Sequence, residues 1–228
     1  MKPMTVVSLT LTDGQHAELQ AHLFPGDGNE AVALLLCGRS VGTERTRLVV
    51  RSIHLVPYNI CERTPDSVTW PTDMLPGLLE QAVKYGWSLF KIHGHVRFDR
   101  FSEIDDAADR DLFPGLHVWA GGPHGSLIML DRGRMFGRCV TENGTFVPLC
   151  HVNVVGDDLD YWPTLGRVSP VPEHARRVAQ SFGSGTFEQL QRLRIAVVGC
   201  SGTGSVVIDQ LSRNCVGELV LVDPDRVE

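Results

Sequence analysis

The chain has 228 residues, 43% of them hydrophobic and 21% charged, with a formal net charge of -6. This is the balance of a soluble globular protein holding one large domain or one and a half ordinary ones. The acidic balance, with no Lys/Arg cluster, argues against a nucleic-acid partner, and the longest apolar run is far short of the roughly 20 residues that span a membrane.

Six cysteines (37, 61, 139, 150, 200, 215) are scattered without a C-x-x-C pair. That usage fits a reducing compartment, with Cys37 and Cys200 expected as buried thiols. The N-terminus lacks the continuous apolar core of a signal peptide, so a cytoplasmic location is expected.

In chain order, Thr5 to Leu11 reads as a strand. Asp13 is placed to cap a helix reaching about Phe24, with Leu19 and Leu23 on one face. Pro25 to Asn29 is a turn, and Glu30 opens a strand over Ala31 to Gly38. Arg45 to Pro57 is a long strand, and Tyr58 to Trp70 is expected to be irregular and to line a substrate. Asp73 to Tyr85 is helical, with Pro76 in its first turn. The run Trp87 to Ile92 is a strand leading into His93 and His95. A short acidic helix is expected from Ser102 to about Leu112, with Asp105, Asp106, Asp109 and Asp111 mostly on a solvated face. Strands follow at 116–121, 126–131, 135–140 and 145–152, with a hairpin cue at Glu142-Asn-Gly-Thr145. The expected class is α+β with mostly antiparallel strands. Residues 156–172, with three aspartates and three prolines, read as a linker. Two short helices then precede a second motif.

The first motif is Lys91-Ile-His-Gly-His-Val-Arg-Phe-Asp-Arg-Phe-Ser-Glu-Ile-Asp105. Residues two apart in a strand point to one side, so His93 and His95 share a face. Ser102 and Asp105 follow the loop 96–101. Two neutral imidazoles and a carboxylate suit zinc and leave a fourth position for water. A plainer reading competes: Ser102 can simply cap a helix whose dipole favours Asp105, and a His-x-His pair is often surface or core. Glu30 by itself fits a surface residue at a strand start.

This segment, with Glu30 upstream, resembles the signature of the JAMM (MPN-plus, Mov34/PAD-1) metalloproteases: a distant Glu, His-x-His, a loop, then Ser-x-x-Asp. Members cleave ubiquitin, ubiquitin-like proteins or related C-terminal tails. The resemblance implies a curved sheet with flanking helices and a zinc held by His93, His95 and Asp105. It also implies Glu30 as the acid/base that takes a proton from the attacking water and delivers it to the leaving amine, and Ser102 as an oxyanion donor. The family loop usually opens with proline and is one residue longer, so Asp106 stays a second candidate for the carboxylate ligand.

The second motif is a buried strand, Leu193 to Val198, running into Gly199-Cys-Ser201-Gly202-Thr-Gly204-Ser205, a helix to Arg213, and a strand Glu218 to Val222 ending at Asp223. Such a β-α-β unit brings backbone N–H groups to a phosphate and an acid to ribose hydroxyls, and it makes Gly199, Ser201, Gly202, Gly204 and Asp223 candidate nucleotide contacts. A glycine turn between strand and helix can also be purely structural. The spacing resembles the G-x-G-G-x-G-S of ThiF-like adenylating enzymes, with Ser201 in place of the second glycine, and Val222-Asp-Pro-Asp-Arg-Val-Glu228 resembles that family's strand-end motif. The resemblance implies ATP with magnesium, and as partners a ubiquitin-like tail and a conjugating enzyme.

The expected organisation is therefore a JAMM-like metallopeptidase domain over 1–155, a linker over 156–172, and over 173–228 the opening of a ThiF-like domain, a partial Rossmann-like unit. The later Arg, Lys and magnesium-binding Asp of that family are not reached, so a fragment of a longer fusion is expected, with adenylation confined to the longer chain. Two alternatives stand beside this: a metal-free module that binds a ubiquitin-like protein, and a nucleotide-dependent oxidoreductase.

Overall fold

The computed structural model describes residues 6–42, 45–96, 98–163 and 171–225. Thr5, residues 164–170 of the expected linker and residues 226–228 of the expected strand-end motif lie outside these. Two units divide the chain, residues 1–165 and 166–228.

In the first unit the elements run β1 (Val6–Thr12), α1 (Asp13–Leu23), β2 (Val32–Val41), β3 (Arg45–Leu55), β4 (Glu62–Thr64), β5 (Ser67–Thr69), α2 (Leu75–Tyr85), β6 (Ser88–His95), α3 (Glu103–Trp119), β7 (His124–Leu130), β8 (Met135–Val140), β9 (Phe146–Pro148), β10 (His151–Val155) and β11 (Leu159–Pro163). Nine strands form one sheet in the order β11-β10-β1-β3-β2-β6-β7-β8-β9. Most neighbours are antiparallel; β1 with β10, β1 with β3, and β6 with β7 are parallel. The fold is thus α+β.

Chain connectivity forces this sheet to curl. β9 is an edge strand and β10 lies next to the other edge, yet only Leu149 and Cys150 join them. In a flat sheet seven inter-strand steps would separate them by about 34 Å, whereas three residue steps reach roughly 11 Å. The Cys150 N–H donates to the Val7 carbonyl of β1, and the Leu149 N–H to Gly137 of β8. The two ends of the sheet are thereby brought together.

Each face has its own core. One gathers Leu9, Leu35, Phe90, Ile92, Met129 and Val152 with Leu19 and Leu23 of α1. The other gathers Leu34, Leu36 and Leu89 with Leu75 and Leu78 of α2 and Phe113 and Leu116 of α3.

Several expectations are corrected. The cap of α1 is Thr12, which forms a capping box with Gln15, rather than Asp13. Residues 58–70 include the small β4–β5 hairpin, turning at Pro65-Asp66. The acidic helix does not end near Leu112, and 116–121 is not a strand, because α3 continues to Trp119 through Pro114. A helical proline costs about 3 kcal/mol; burying Phe113 and Leu116 returns about 1.5–3 kcal/mol each, so helix wins. The 145–152 strand is two, β9 and β10, which lie far apart in sheet order. Part of the expected linker is strand β11, paired along β10, with Trp162 packed on the core. Cys200 is only partly buried, whereas Cys37 is fully buried.

Nor is Asp109 on a solvated face. It is wholly buried, and its carboxylate meets Lys91 Nζ at 2.8 Å, Ser126 Oγ at 2.6 Å and Arg138 Nη2 at 2.6 Å. Arg138 also bonds Asp106 and lies 3.7 Å from the centres of the Phe101 and Phe146 rings. Removing one member of such a network strands buried charge. Asp109→Asn, which keeps the shape and deletes the charge, is expected to destabilise the fold by about 3–5 kcal/mol. Urea unfolding measures this; a loss under about 1 kcal/mol would show that the cations find other partners.

The second unit contains α4 (Arg176–Phe182), α5 (Ser184–Arg192), β12 (Arg194–Val198), α6 (Thr203–Arg213) and β13 (Glu218–Val222). β12 and β13 pair in parallel from Arg194↔Glu218 to Val198↔Val222, with α6 as the crossover. Among the described residues no helix is long and apolar enough to cross a membrane.

Candidate metal centre

β6 is buried along its whole length, and its alternation sorts chemistry by face. Phe90 and Ile92 enter one core. Leu89, Lys91, His93 and His95 share the opposite face, which passes from apolar core to ion pair to imidazoles. α3 packs against that face with the matching series: Phe113 beside the apolar part, Asp109 at Lys91 and Asp105 at His93. Gly94 between the histidines is closely packed: a Cβ there would lie 3.0 Å from both the Leu23 carbonyl and the Phe24 ring, so those neighbours would have to give way.

The structure brings Glu30, His93, His95, Ser102 and Asp105 together. The two Nε2 atoms are 3.0 Å apart. Asp105 Oδ1 is 2.9 Å from His93 Nε2, and Asp105 Oδ2 is 3.5 Å from His95 Nε2. Glu30 Oε1 approaches His95 Nε2 at 3.5 Å. Ser102 caps α3: its Oγ accepts the Asp105 N–H, while its own N–H and Oγ–H donate to Asp105 Oδ2, each at 2.7 Å. The cap thus fixes where Asp105 points. Asp106, the other candidate, turns away to Arg138 and Arg110.

His95 Nδ1 lies 3.2 Å from the Phe98 carbonyl, which can only accept, so this nitrogen carries the proton. Its Nε2 faces His93, Glu30 and Asp105; burial resists a charge on this imidazole, but the hydrogen bond to Asp105 and the Glu30 and Asp105 charges outweigh it and raise His95 above its ordinary value. Two carboxylates converging on one imidazole nitrogen favour positive charge there, either a proton on Nε2 or a metal ion in its place. The donor set of two imidazoles with carboxylates suits zinc, and ligand atoms of Glu30, His93 and His95 fall within 4.8 Å of one another. On this chemistry the residues fit a zinc ion.

Burial pushes the Glu30 carboxyl up to about 7; attraction to His95 opposes this and the Asp105 charge reinforces it. Burial also resists ionisation of Asp105, but hydrogen bonds from His93 and His95 outweigh it and hold that carboxyl far below the usual range. Burial lowers His93. A cleft of about 110 Å³ opens at the cluster, lined by Glu30, Pro65, Asp66, His95, Phe98 and Ser102.

Three contributors escaped the sequence reading. Lys91 and Asp109 organise the same helix–strand seam, and their signal was spacing: Lys91 is two before His93, and Asp109 four after Asp105. Arg63 holds the backbone at Glu30, and no local pattern marks it.

In the second unit Gly199 and Gly202 have φ of +87° and +49°, and a Cβ on Gly204 would sit 1.7 Å from the Gly199 carbonyl oxygen. The glycine turn is therefore a tight backbone crossing at the start of α6. Ser201 accepts the Gly204 N–H through its carbonyl. Asp223 reaches back and accepts the Cys200 N–H, so in this structure the acid ties down the turn.

Residues 174–228 match the ThiF family. Ubiquitin-like modifier-activating enzyme 5 from Culex quinquefasciatus is 50% identical over 42 residues, 18% of this chain and 11% of that protein. The enzyme of the same name from Caenorhabditis briggsae is 48% identical over 42 residues, 18% of this chain and 10% of that protein. The chain thus spans about a tenth of the length of the curated relatives it matches. Protein DSY2949 from Desulfitobacterium hafniense, known from its solution structure, aligns with a TM-score of 0.43 at 19% identity over 65% of this chain and 94% of that one.

The raised Glu30 sets a pH signature for the metal-free chain. A carboxyl raised on folding contributes stability at low pH that is lost as pH rises through about 7. Glu30→Gln cannot ionise, so its stability relative to wild type should climb between pH 5 and pH 8. Urea unfolding in chelator measures the difference; a pH-independent gap would mean that Glu30 ionises as freely as an exposed carboxyl.

Proposed function

We propose that the first unit is a JAMM-type zinc metallopeptidase that cleaves a peptide or isopeptide bond at the C-terminal tail of a ubiquitin-like protein. The observation that supports it most is the convergence of His93 Nε2, Asp105 and Glu30 on His95 Nε2, with Nδ1 of that ring turned to the Phe98 carbonyl. His93, His95 and Asp105 would hold the zinc, on β6 and the first turn of α3. Bound there, zinc supplies Lewis acidity and lowers the pKa of water.

The chain's own groups carry the proton. Glu30, raised to about 7, is matched to taking a proton from water and returning it to the leaving amine near neutral pH. Ser102 lines the cleft with a hydroxyl that can turn from Asp105 to a developing oxyanion. The buried position of Glu30, 6% exposed, keeps the proton path away from bulk water.

The glycine turn and α6 of the second unit are assigned to ATP phosphate, with magnesium. Adenylation of a ubiquitin-like tail, and transfer to a conjugating enzyme, are assigned to the whole protein rather than to this β-α-β unit. Both activities would then address one kind of tail. The location is taken as cytoplasmic.

One observation favours the metal-free binding module. His93 Nδ1 is buried with no hydrogen-bond partner, whereas a metal-bound imidazole ordinarily donates its second N–H. Elemental analysis of chain purified without chelator separates the readings. One zinc per chain is expected, lost in His93→Ala and retained in Glu30→Gln. Glu30→Gln should lower cleavage of a C-terminally extended ubiquitin-like protein by about 100-fold or more. Zinc well below one equivalent, unrestored by added metal, would leave the binding module standing.

A further inference from the structure

Glu30 precedes β2, and the hairpin β4–β5 holds its backbone on both sides. The Glu30 N–H donates to the Thr64 carbonyl at 2.8 Å, and the Glu30 carbonyl accepts from Arg63 Nε at 2.7 Å. The rest of the Arg63 fork is committed to the same turn: Nη2 donates to the Asn29 carbonyl at 3.1 Å, and Nη1 and Nη2 reach the two Asp27 oxygens at 2.8 and 3.2 Å. The Tyr58 ring centre lies 4.3 Å from the guanidinium, and Tyr58 is itself fixed on His22 by stacking and by its hydroxyl bond to the His22 carbonyl. A single side chain thus binds residues 27, 29 and 30 in succession, which only a planar multi-donor fork can do.

We propose that Arg63 is a positioning residue that sets the Glu30 carboxylate against the metal centre, and that hairpin β4–β5 is the strap that carries it. The proposal deepens the metallopeptidase reading and rests on it for the role of Glu30. Arg63 touches Glu30 only through the backbone. The hairpin turn, Pro65-Asp66, lines the same cleft as Glu30 and His95, so substrate seated there presses on the element that holds the acid/base. His93, His95 and Asp105 lie on β6 and α3 and do not depend on the strap. Loss of Arg63 therefore separates metal retention from turnover.

The test uses the full zinc-loaded chain with Arg63→Met, Arg63→Lys and Asp27→Asn. Zinc content, amide exchange at Glu30 and kinetics on ubiquitin bearing a C-terminal fluorogenic amide are measured. Arg63→Met should keep its zinc, exchange the Glu30 amide about 10-fold faster or more, and lose about 100-fold in kcat, the scale of a 1 Å misplacement, with KM little changed. Arg63→Lys restores part of kcat, and Asp27→Asn, which leaves the bond to the Glu30 carbonyl, falls between it and wild type. Unchanged Glu30 exchange in Arg63→Met overturns the proposal, as does unchanged kcat. Uniform loss of protection across the sheet in all three variants also overturns it, by making Arg63 a residue of the fold at large. A wild-type zinc-loaded chain that fails to cleave the probe counts against the peptidase reading, and the exchange measurement then decides the strap by itself.

Discussion

A carboxylate with no exposure, Asp109, holds the seam on which the first unit depends. Two cations, Lys91 from β6 and Arg138 from β8, reach it through the sheet, and Ser126 from β7 completes its bonds. Charges so buried are tolerable only when paired. The position of α3 along β6 is therefore not free. A one-residue slide of the helix would swing Asp109 by about 100° and leave Lys91 and Arg138 unpaired. With that register set, Asp105 one turn earlier meets His93 and His95.

The cluster of Glu30, His93, His95 and Asp105 is assembled from three separate places in the sequence. β6 supplies the imidazoles, the capped start of α3 supplies Asp105, and the turn before β2 supplies Glu30. Each is fixed by a different device: strand alternation, a reciprocal capping box, and a guanidinium clamp. The two carboxylates sit within reach of one imidazole yet are pushed in opposite directions. Asp105, fed by hydrogen bonds, stays ionised, whereas Glu30, with burial dominant, is held near neutrality. Under the proposed function, carboxyls held so far apart would divide labour between ligand and proton carrier.

The second unit shows a different economy. Its turn is shaped by backbone proximity, with Gly204 pressed on Gly199 and Asp223 bonded to the turn itself. The recorded N–H groups of the turn are bonded within the unit, Gly199 to Val222, Cys200 to Asp223 and Gly204 to Ser201. Apolar side chains on this unit, among them Val198 and Val206, are exposed.

The sequence alone determined whatever depends on short-range periodicity. His93 and His95 share a face because a strand alternates, Ser102 caps because Asp105 follows three residues on, and the β-α-β order of residues 194–222 follows from an apolar run, glycines and a second apolar run. Tertiary structure alone decided the rest. Asp109 looked solvated because an acidic run is usually surface; only packing against β6 and β8 brought it Lys91 and Arg138. Helix α3 outran its proline because Phe113 and Leu116 had a core to enter, which lies on strands distant in sequence. Asp105 prevailed over Asp106 because consecutive helical residues differ by about 100° in direction, and the sheet, not the sequence, decides which one faces it. Glu30 reached His95, 65 residues on, through strand pairing and the Arg63 clamp, contacts between segments with no local pattern in common.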